Sequence, residues 1–191
     1  MERCITANQM PPSSGVQLDR LVSKPGHGGM GSHHSARAMK DEWLTPPGIV
    51  SALGEFDLDP CSPVDRPWPT AKQHYTISDD GLALPWHGRV FCNPPYGLEA
   101  ANWLNKLAGH GNGIALIFAR TETQMFFDHV WSKADALLFF KGRLYFHHVD
   151  GSRAAANAGA PSVLVAYGKS NADCLAGSEI VGQLVKLNPA Y

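Results

Sequence analysis

The sequence has little excess charge of either sign. Its 191 residues include 16 Lys and Arg against 17 Asp and Glu, which gives a formal net charge of −1. A protein so close to neutral exerts no overall electrostatic attraction on nucleic acid. Binding to DNA would therefore require a locally basic surface rather than a basic chain.

Cysteine is also scarce. The four copies, Cys4, Cys61, Cys92 and Cys174, are far apart and form no C-x-x-C pair. This spacing argues against a zinc site, and no metal is expected. A chain of this length buries a core of its own and does not depend on a disulfide framework. We therefore expect free thiols in a reducing cytoplasm.

Two kinds of targeting segment are missing from the sequence. No apolar run approaches the length needed to span a membrane. The N-terminus has no charged stretch followed by an apolar one, which would be typical of a signal peptide. We expect a soluble, cytoplasmic protein.

The chain divides into three parts by composition. Residues 1–40 include a glycine-rich, polar stretch without apolar periodicity, which predicts a flexible arm. Residues 41–168 contain the strongly patterned segments, and hydrophobic residues make up 44% of the whole sequence, enough for a real core. Residues 169–191 are weakly patterned and are expected to form a C-terminal tail, with a possible short helix at 178–187.

Apolar runs alternate with amphipathic segments through the middle of the chain. The first of them predict a parallel α/β sheet with right-handed crossovers. The last strands follow one another without a helix, which predicts an antiparallel hairpin at one edge of a mostly parallel sheet. The predicted strands lie at residues 56–59, 89–92, 114–118, 136–140 and 162–167, and the two main helices at 98–107 and 123–132.

A short helix is predicted just before the first strand. Thr45 is expected to be its N-cap, with a proline at the first helical position. Gly54 is expected to end it. Thr45 and Pro46 could alternatively supply a contact to a bound cofactor.

The clearest chemical signal is Asn93-Pro94-Pro95-Tyr96, directly after a predicted strand. Open α/β sheets bind their ligands at that edge. The exocyclic amine of adenine is a poor nucleophile because its lone pair is delocalised, and acceptors on its N–H groups would return electron density to it. The Asn93 side chain and the Pro94 carbonyl could be these acceptors, on a loop that two prolines make rigid.

Tyr96 offers a flat face on which a base turned out of a helix could stack. The alternative is a proline-rich turn in which Tyr96 only packs. A four-residue match arises by chance fairly often, so its context matters.

Acidic residues upstream suit a cofactor. Asp59 ends a predicted strand and is followed by Pro60 and Cys61, so its carboxylate could pair with the ammonium group of S-adenosylmethionine. The alternative is a strand-end aspartate that caps its own turn. Asp80 could hold the adenine amino group of the same cofactor, or form an ordinary Asp-Gly turn.

Basic side chains gather beside the small-residue loop at 150–161. They could contact DNA phosphates, or belong to a solvated loop with ordinary charges. The residues are Lys141, Arg143, His147, His148 and Arg153.

Together these motifs resemble the phage-encoded DNA N6-adenine methyltransferase family, often called phage Dam. The matching stretches span residues 41 to about 168, at 41–47, 56–61, 79–82, 90–97, 119–123 and 141–146. The resemblance implies a Rossmann-like domain that uses S-adenosylmethionine to methylate adenine N6 in double-stranded DNA, inside a bacterial or phage-infected cell.

The resemblance also assigns roles to residues. It implies that residues 93–96 form the catalytic loop, that Asp59 is the acid of the first cofactor motif with Pro60 and Cys61 beside it, and that Thr45, Pro46 and Asp80 lie on the cofactor side.

Two features depart from the family pattern. The glycines typical of the first cofactor motif are missing, and Ser62-Pro63 stands in their place. No separate target-recognition domain is visible, so sequence specificity would either be loose or come from the arm, the 147–161 loop or a second subunit. Three alternatives stay open: a methyltransferase acting on RNA adenine, one acting on protein glutamine, or a catalytically silent binding protein of the same fold.

Overall fold

The computed structural model describes residues 42–187, and the arm expected at residues 1–40 lies outside them. The described chain alternates helices and strands. In chain order the elements are α1 (Pro47–Leu53), β1 (Leu58–Asp59), β2 (Gln73–His74), β3 (Val90–Cys92), α2 (Ala100–His110), β4 (Gly113–Phe118), α3 (Gln124–Phe126) continuing as a π-helical turn (Phe127–Trp131), β5 (Ala136–Phe140), β6 (Ser162–Tyr167), α4 (Lys169–Gly177) and β7 (Gly182–Lys186).

The seven strands form one mixed sheet in the order β2-β1-β3-β4-β6-β5-β7. The β2–β1, β1–β3 and β3–β4 pairs are parallel. β6 is antiparallel to both of its neighbours, β4 and β5, and β7 is antiparallel to β5. Strands β1 to β5 therefore all point the same way, while β6 and β7 run in the opposite direction.

The predicted mostly parallel sheet with an antiparallel edge hairpin is wrong, because β6 lies inside the sheet. β5 and β6 are joined by a loop without a helix, which allows β6 to return antiparallel beside β5. β6 then pairs along its whole length with β4, from Gly113 opposite Tyr167 to Phe118 opposite Ser162. All six of its residues are buried, as expected of a strand with partners on both edges.

Helices cover both faces of the sheet. On one face, Leu104 and Leu107 of α2 pack with Val130 of the π-helical turn. On the other face, Leu53 of α1 packs with Leu175 of α4. The core therefore has two layers, one on each side of the buried strands β4 and β6. Across residues 42–187, no helix has both the length and the apolar character that crossing a membrane requires.

The start of α1 differs by one residue from the prediction. Pro46 is the N-cap and Pro47 occupies the first turn, so Thr45 is not the cap. A residue that precedes a proline is disfavoured in the helical conformation. Both Thr45 and Pro46 precede prolines, and the helix therefore cannot begin before Pro47. Gly54 ends the helix with φ +79°, which confirms the predicted stop.

The predicted helix at residues 178–187 is also wrong. This segment forms β7, which pairs with β5 over five residues. Pairing with an open sheet edge overrides the weak local pattern of such a segment. The nine-residue helix α4 precedes it, where no helix was predicted. The boundary at residue 168 stays a prediction, and these contacts favour a domain that continues to at least Lys186.

Candidate active site at the carboxyl ends of β1 and β3

The chain order places a branch point of the fold at the carboxyl ends of β1 and β3. From β1 the chain moves to β2 on one side and then crosses to β3 on the other side. Open α/β sheets bind ligands where such a reversal separates the loops. Asp59 is the last residue of β1, and Asn93 directly follows β3. Because the Sγ atoms of Cys61 and Cys92 are 3.7 Å apart, the two predicted motifs lie side by side.

The two ends of the Asn93 side chain have different surroundings. Nδ2 donates a hydrogen bond of 3.3 Å to the carbonyl oxygen of Trp43. Oδ1 is buried and accepts no hydrogen bond from residues 42–187. Buried polar atoms usually have a partner, and leaving one unsatisfied costs about 1–3 kcal/mol. The anchored nitrogen therefore fixes an acceptor that is oriented but unused by the protein itself.

The rest of the predicted catalytic loop, residues 94–96, presents an aromatic platform. Pro94 is buried, whereas Pro95 is exposed. The Tyr96 ring lies parallel to that of Phe118, with centroids 4.2 Å apart and planes at 3°, and meets Phe146 edge-on at 6.4 Å. Tyr96 nevertheless remains 40% exposed. A held, flat and partly open ring suits stacking of a planar ligand.

A small pocket of about 180 Å³ adjoins this platform. Pockets for drug-sized ligands measure roughly 300–1,000 Å³, so this one suits a smaller group such as a single base. Its walls are aromatic on one side and consist of small loop residues on the other. The lining residues are Trp43, Tyr96, Phe118, Phe146, Ala154, Ala156, Asn157, Ala158 and Gly159.

Asp59 is buried at the end of β1 with partners for both carboxylate oxygens. It accepts a hydrogen bond of 3.1 Å from the backbone N–H of Cys61 and a second one from the Thr70 hydroxyl. Burial raises the pKa of Asp59 to about 6, against the opposing effect of these hydrogen bonds. The carboxylate thus ties the turn after β1 and the loop before β2 together, and its role toward a cofactor stays a prediction.

Asp80 lies on a turn that is locked against the end of β1. It is exposed and has φ +53°, a conformation that is uncommon outside glycine. A Cβ at the next residue, Gly81, would overlap the carbonyl oxygen of Pro60, so the turn packs directly on the residue after β1. The Lys106 amine donates to the carbonyl oxygens of Leu82 at 2.6 Å and of Leu84 at 2.5 Å. Aspartate tolerates this conformation in ordinary Asp-Gly turns, so the contact of Asp80 with a cofactor stays a prediction.

The segment before α1 lies between the catalytic loop and the loop that joins β5 to β6. Thr45 is buried, and its carbonyl oxygen accepts a hydrogen bond of 3.2 Å from Trp68 Nε1. The backbones of Leu44 and His147 exchange two hydrogen bonds, of 2.9 and 3.0 Å. Pro46 follows as the N-cap of α1. The structure therefore brings this segment to Asn93 by way of its neighbour Trp43.

The predicted DNA-binding residues occupy the same edge of the sheet. Lys141 follows β5, and its N–H donates to the carbonyl oxygen of Val181. Arg143 donates to the Ala158 carbonyl oxygen, next to the small pocket. Arg153 stacks its guanidinium over Tyr145 at 3.9 Å. Lys141, Arg143 and Arg153 are exposed, and their contact with phosphates stays a prediction.

Four residues that the sequence left without a role contribute to this site. Trp43 anchors Asn93, Phe118 supports Tyr96, Thr70 binds Asp59 and Lys106 holds the Asp80 turn. An aromatic at the last position of a buried strand could have pointed to Phe118. The others come from segments whose positions depend on the folded chain. In the described part of the chain, no group of three or more His, Cys, Asp or Glu side chains could hold a metal ion.

Comparison with known proteins gives a family match. The family model described as DNA N-6-adenine-methyltransferase (Dam) matches residues 32–177. This range contains every strand except β7 and all the predicted site residues. No curated protein and no solved structure matches the chain.

Proposed function

The chain belongs to the DNA N-6-adenine-methyltransferase (Dam) family, as its motifs predicted, and we propose that it transfers a methyl group from S-adenosylmethionine to N6 of adenine in double-stranded DNA. The observation that carries the proposal is the buried oxygen of Asn93, which belongs to an anchored amide and accepts no hydrogen bond from residues 42–187. This oxygen lies at the sheet edge where open α/β folds bind ligands, and we assign the domain to the Rossmann-like class.

Activation of the amine is the task of Asn93 and Pro94. The lone pair of adenine N6 is delocalised into the ring, which makes the nitrogen a weak nucleophile. Hydrogen bonds donated by the amine to Asn93 Oδ1 and to the Pro94 carbonyl oxygen return electron density to it. Because Nδ2 is already fixed on Trp43, the acceptor needs no reorganisation when the base arrives. The proton leaves to water after methyl transfer, so no strong base is required.

Capture of the base is the task of Tyr96. A base that is turned out of the duplex gains stacking on an aromatic ring, roughly 1–3 kcal/mol per base. Phe118 holds the Tyr96 ring from one side, and part of the ring stays exposed. The adjoining pocket of about 180 Å³ matches a single base in scale.

We assign S-adenosylmethionine to the branch point, where Asp59 ends β1 and Asn93 follows β3. When bound, it would supply the electrophilic methyl group. The exposed Asp80 carboxylate offers an acceptor for amino or hydroxyl groups. Asp59 is already engaged by Thr70 and Cys61, so we assign it the positioning of residues 59–61. Thr45 and Pro46 would close the same side of the site.

The proposal is tested by changing Asn93 and offering several acceptors. Methyl transfer from labelled S-adenosylmethionine is measured on DNA, RNA and protein. Asn93→Ala should keep the thermal stability and the cofactor affinity of the wild type and lose about 10²-fold or more in rate, the scale for one preorganised polar group. Asn102→Ala, the same change on an exposed position of α2, is the matched control.

Each other outcome contradicts a stated part of the proposal. Undiminished methylation by Asn93→Ala would place the chemistry elsewhere. Labelling of RNA alone or of protein alone would show that the methyl acceptor is not DNA. No labelling by the wild type with any acceptor would favour a binding protein without turnover.

A further inference from the structure

Large apolar side chains are exposed at a few positions, and Leu98 is the most exposed of them. It is 99% accessible to solvent. Single exposed apolar residues are common on protein surfaces, so exposure alone indicates nothing. The position of Leu98, however, is informative. The exposed large apolar residues within 42–187 are Val64, Ile77, Tyr96, Leu98, Phe127 and Val181.

Leu98 lies on the rim of the proposed catalytic loop. It follows Tyr96 by two residues and precedes α2, which begins at Ala100. Between Tyr96 and Leu98, Gly97 has φ +122°, a conformation that favours glycine. A Cβ at Gly97 would have no neighbour within 4 Å among residues 42–187, so the loop has open space there. Leu98 is thus part of a continuous exposed stretch, residues 95–98, that includes Pro95 and Tyr96.

The proposed reaction creates a need for such a side chain. Turning a base out of a duplex removes its stacking and leaves a gap between the neighbouring base pairs. Proteins that distort DNA commonly insert an apolar side chain, including leucine, into an opened base step.

We propose that Leu98 inserts into the DNA stack and occupies the space left by the target adenine. The inference rests on the proposed function, because it takes duplex DNA as substrate and an extruded adenine as the reacting base. Leu98 then stabilises the extruded state from the duplex side, while Tyr96 captures the base on the protein side. The backbone of residues 96–98 links the two actions.

The test compares two substrates for the Leu98→Ala variant. The methylated site is first mapped by modification-detecting sequencing of DNA from cells that express the wild type. A duplex with that site is then compared with one in which the target adenine faces an abasic position, since an unpaired base is easier to extrude. Leu98→Ala should lower kcat/KM roughly tenfold or more on the paired duplex, and should retain about half or more of it on the unpaired one.

Two further variants serve as controls. Leu98→Met keeps an apolar wedge of similar volume and should restore activity on the paired duplex. Phe127→Ala removes an apolar side chain that is 55% exposed on the π-helical turn. This position lies outside both the predicted catalytic loop and the loop that carries the exposed cations, so the variant should behave as the wild type on both substrates.

The outcomes separate this inference from the proposed function. Unchanged activity of Leu98→Ala on the paired duplex would overturn the insertion, as would an equal loss on both substrates. A wild type that labels neither duplex would instead contradict DNA methylation itself. Thermal unfolding of Leu98→Ala should match the wild type, because the side chain makes little contact with the protein.

Discussion

At the residue scale, the most informative feature is that the nitrogen and the oxygen of the Asn93 side chain have different surroundings. The Asn93 nitrogen donates to the Trp43 carbonyl oxygen, whereas its oxygen accepts no hydrogen bond in the described part of the chain and is proposed to bind the substrate amine. An aspartate there would lose the donor that anchors it on Trp43, and an alanine would lose both groups. The side chain is thus held in place while its oxygen can still accept a hydrogen bond. A preorganised acceptor in an active site needs both properties.

Phe118 is predicted to act through Tyr96. In Phe118→Leu the parallel ring under Tyr96 is lost, while the apolar volume is largely kept. We expect KM for DNA to rise roughly three- to tenfold, because the stacking platform loosens, with a smaller change in kcat. Steady-state kinetics on a mapped duplex measures this split.

The matched variant for this experiment is Phe127→Leu, which changes a half-exposed phenylalanine outside the platform. Phe118→Tyr should behave like the wild type because it keeps the ring. A positioning role of Phe118 would be contradicted if Phe118→Leu and Phe127→Leu changed kcat and KM to the same extent.

Single residues were predictable where their role depends on a strand end. The sequence placed Asp59 and Asn93 at one sheet edge, and the structure has them at the ends of adjacent strands. Their partners were not predictable. Phe118 meets Tyr96 only because β3 pairs with β4, and Thr70 meets Asp59 through a loop without local pattern. Such contacts depend on the register of distant segments.

At the scale of elements, predicted strands were confirmed where the chain is continuously apolar. The predicted strands at 114–118, 136–140 and 162–167 match β4, β5 and β6 within a residue. Their order in the sheet was not confirmed, because an apolar run shows that a strand is buried without showing which neighbours bury it. The weakly apolar β7 was missed because its pairing with β5, rather than its own sequence, makes it a strand.

The tie between β1 and the following loop predicts a pH-dependent stability. Burial raises the pKa of Asp59 from its ordinary value of 3.8 to about 6. The folded protein therefore binds the proton more tightly than the unfolded chain does. Between about pH 4 and 6, the free energy of unfolding should fall as pH rises, by at most roughly 3 kcal/mol from this group.

Asp59→Asn isolates this contribution. An amide does not titrate, so the stability of the variant relative to the wild type should improve steadily from pH 4 to 7. Chemical unfolding of both proteins at several pH values measures the difference. A difference in unfolding free energy that is independent of pH would show that the Asp59 carboxyl has an ordinary pKa in the folded state.

At the scale of the whole molecule, near-neutrality makes the distribution of charge decisive. The exposed cations Lys141, Arg143 and Arg153 lie on the loop that leaves β5, at the carboxyl edge of the sheet. His147 is half-buried against Trp68 and is less free to reach a phosphate. We therefore propose that the three exposed cations supply most of the phosphate contacts.

Replacing Lys141, Arg143 and Arg153 by glutamine should weaken DNA binding and its dependence on salt. Each phosphate contact contributes about 0.9 to the slope of log K against log salt concentration, so the slope should become shallower by roughly 2–3. Fluorescence anisotropy with a labelled duplex between low and moderate salt provides the measurement.

Lys169→Gln is the matched control for charge. Lys169 follows β6, which runs opposite to β1–β5, so it lies at the other edge of the sheet. Its replacement should leave the slope unchanged. A slope that changes as much per charge for Lys169 as for the three loop cations would contradict a localised DNA-binding surface.

The interior position of β6 also bears on how the protein emerges from the ribosome. β4 and β5 are synthesised first, but each must wait for the strand that lies between them. Until residue 167 has left the exit tunnel, the nascent chain has a four-stranded sheet, β2-β1-β3-β4, with an open edge at β4, and β5 lacks both of its partner strands. One wall of the small pocket comes from the loop that precedes β6, so the pocket is incomplete until this loop has been synthesised and β6 has entered the sheet.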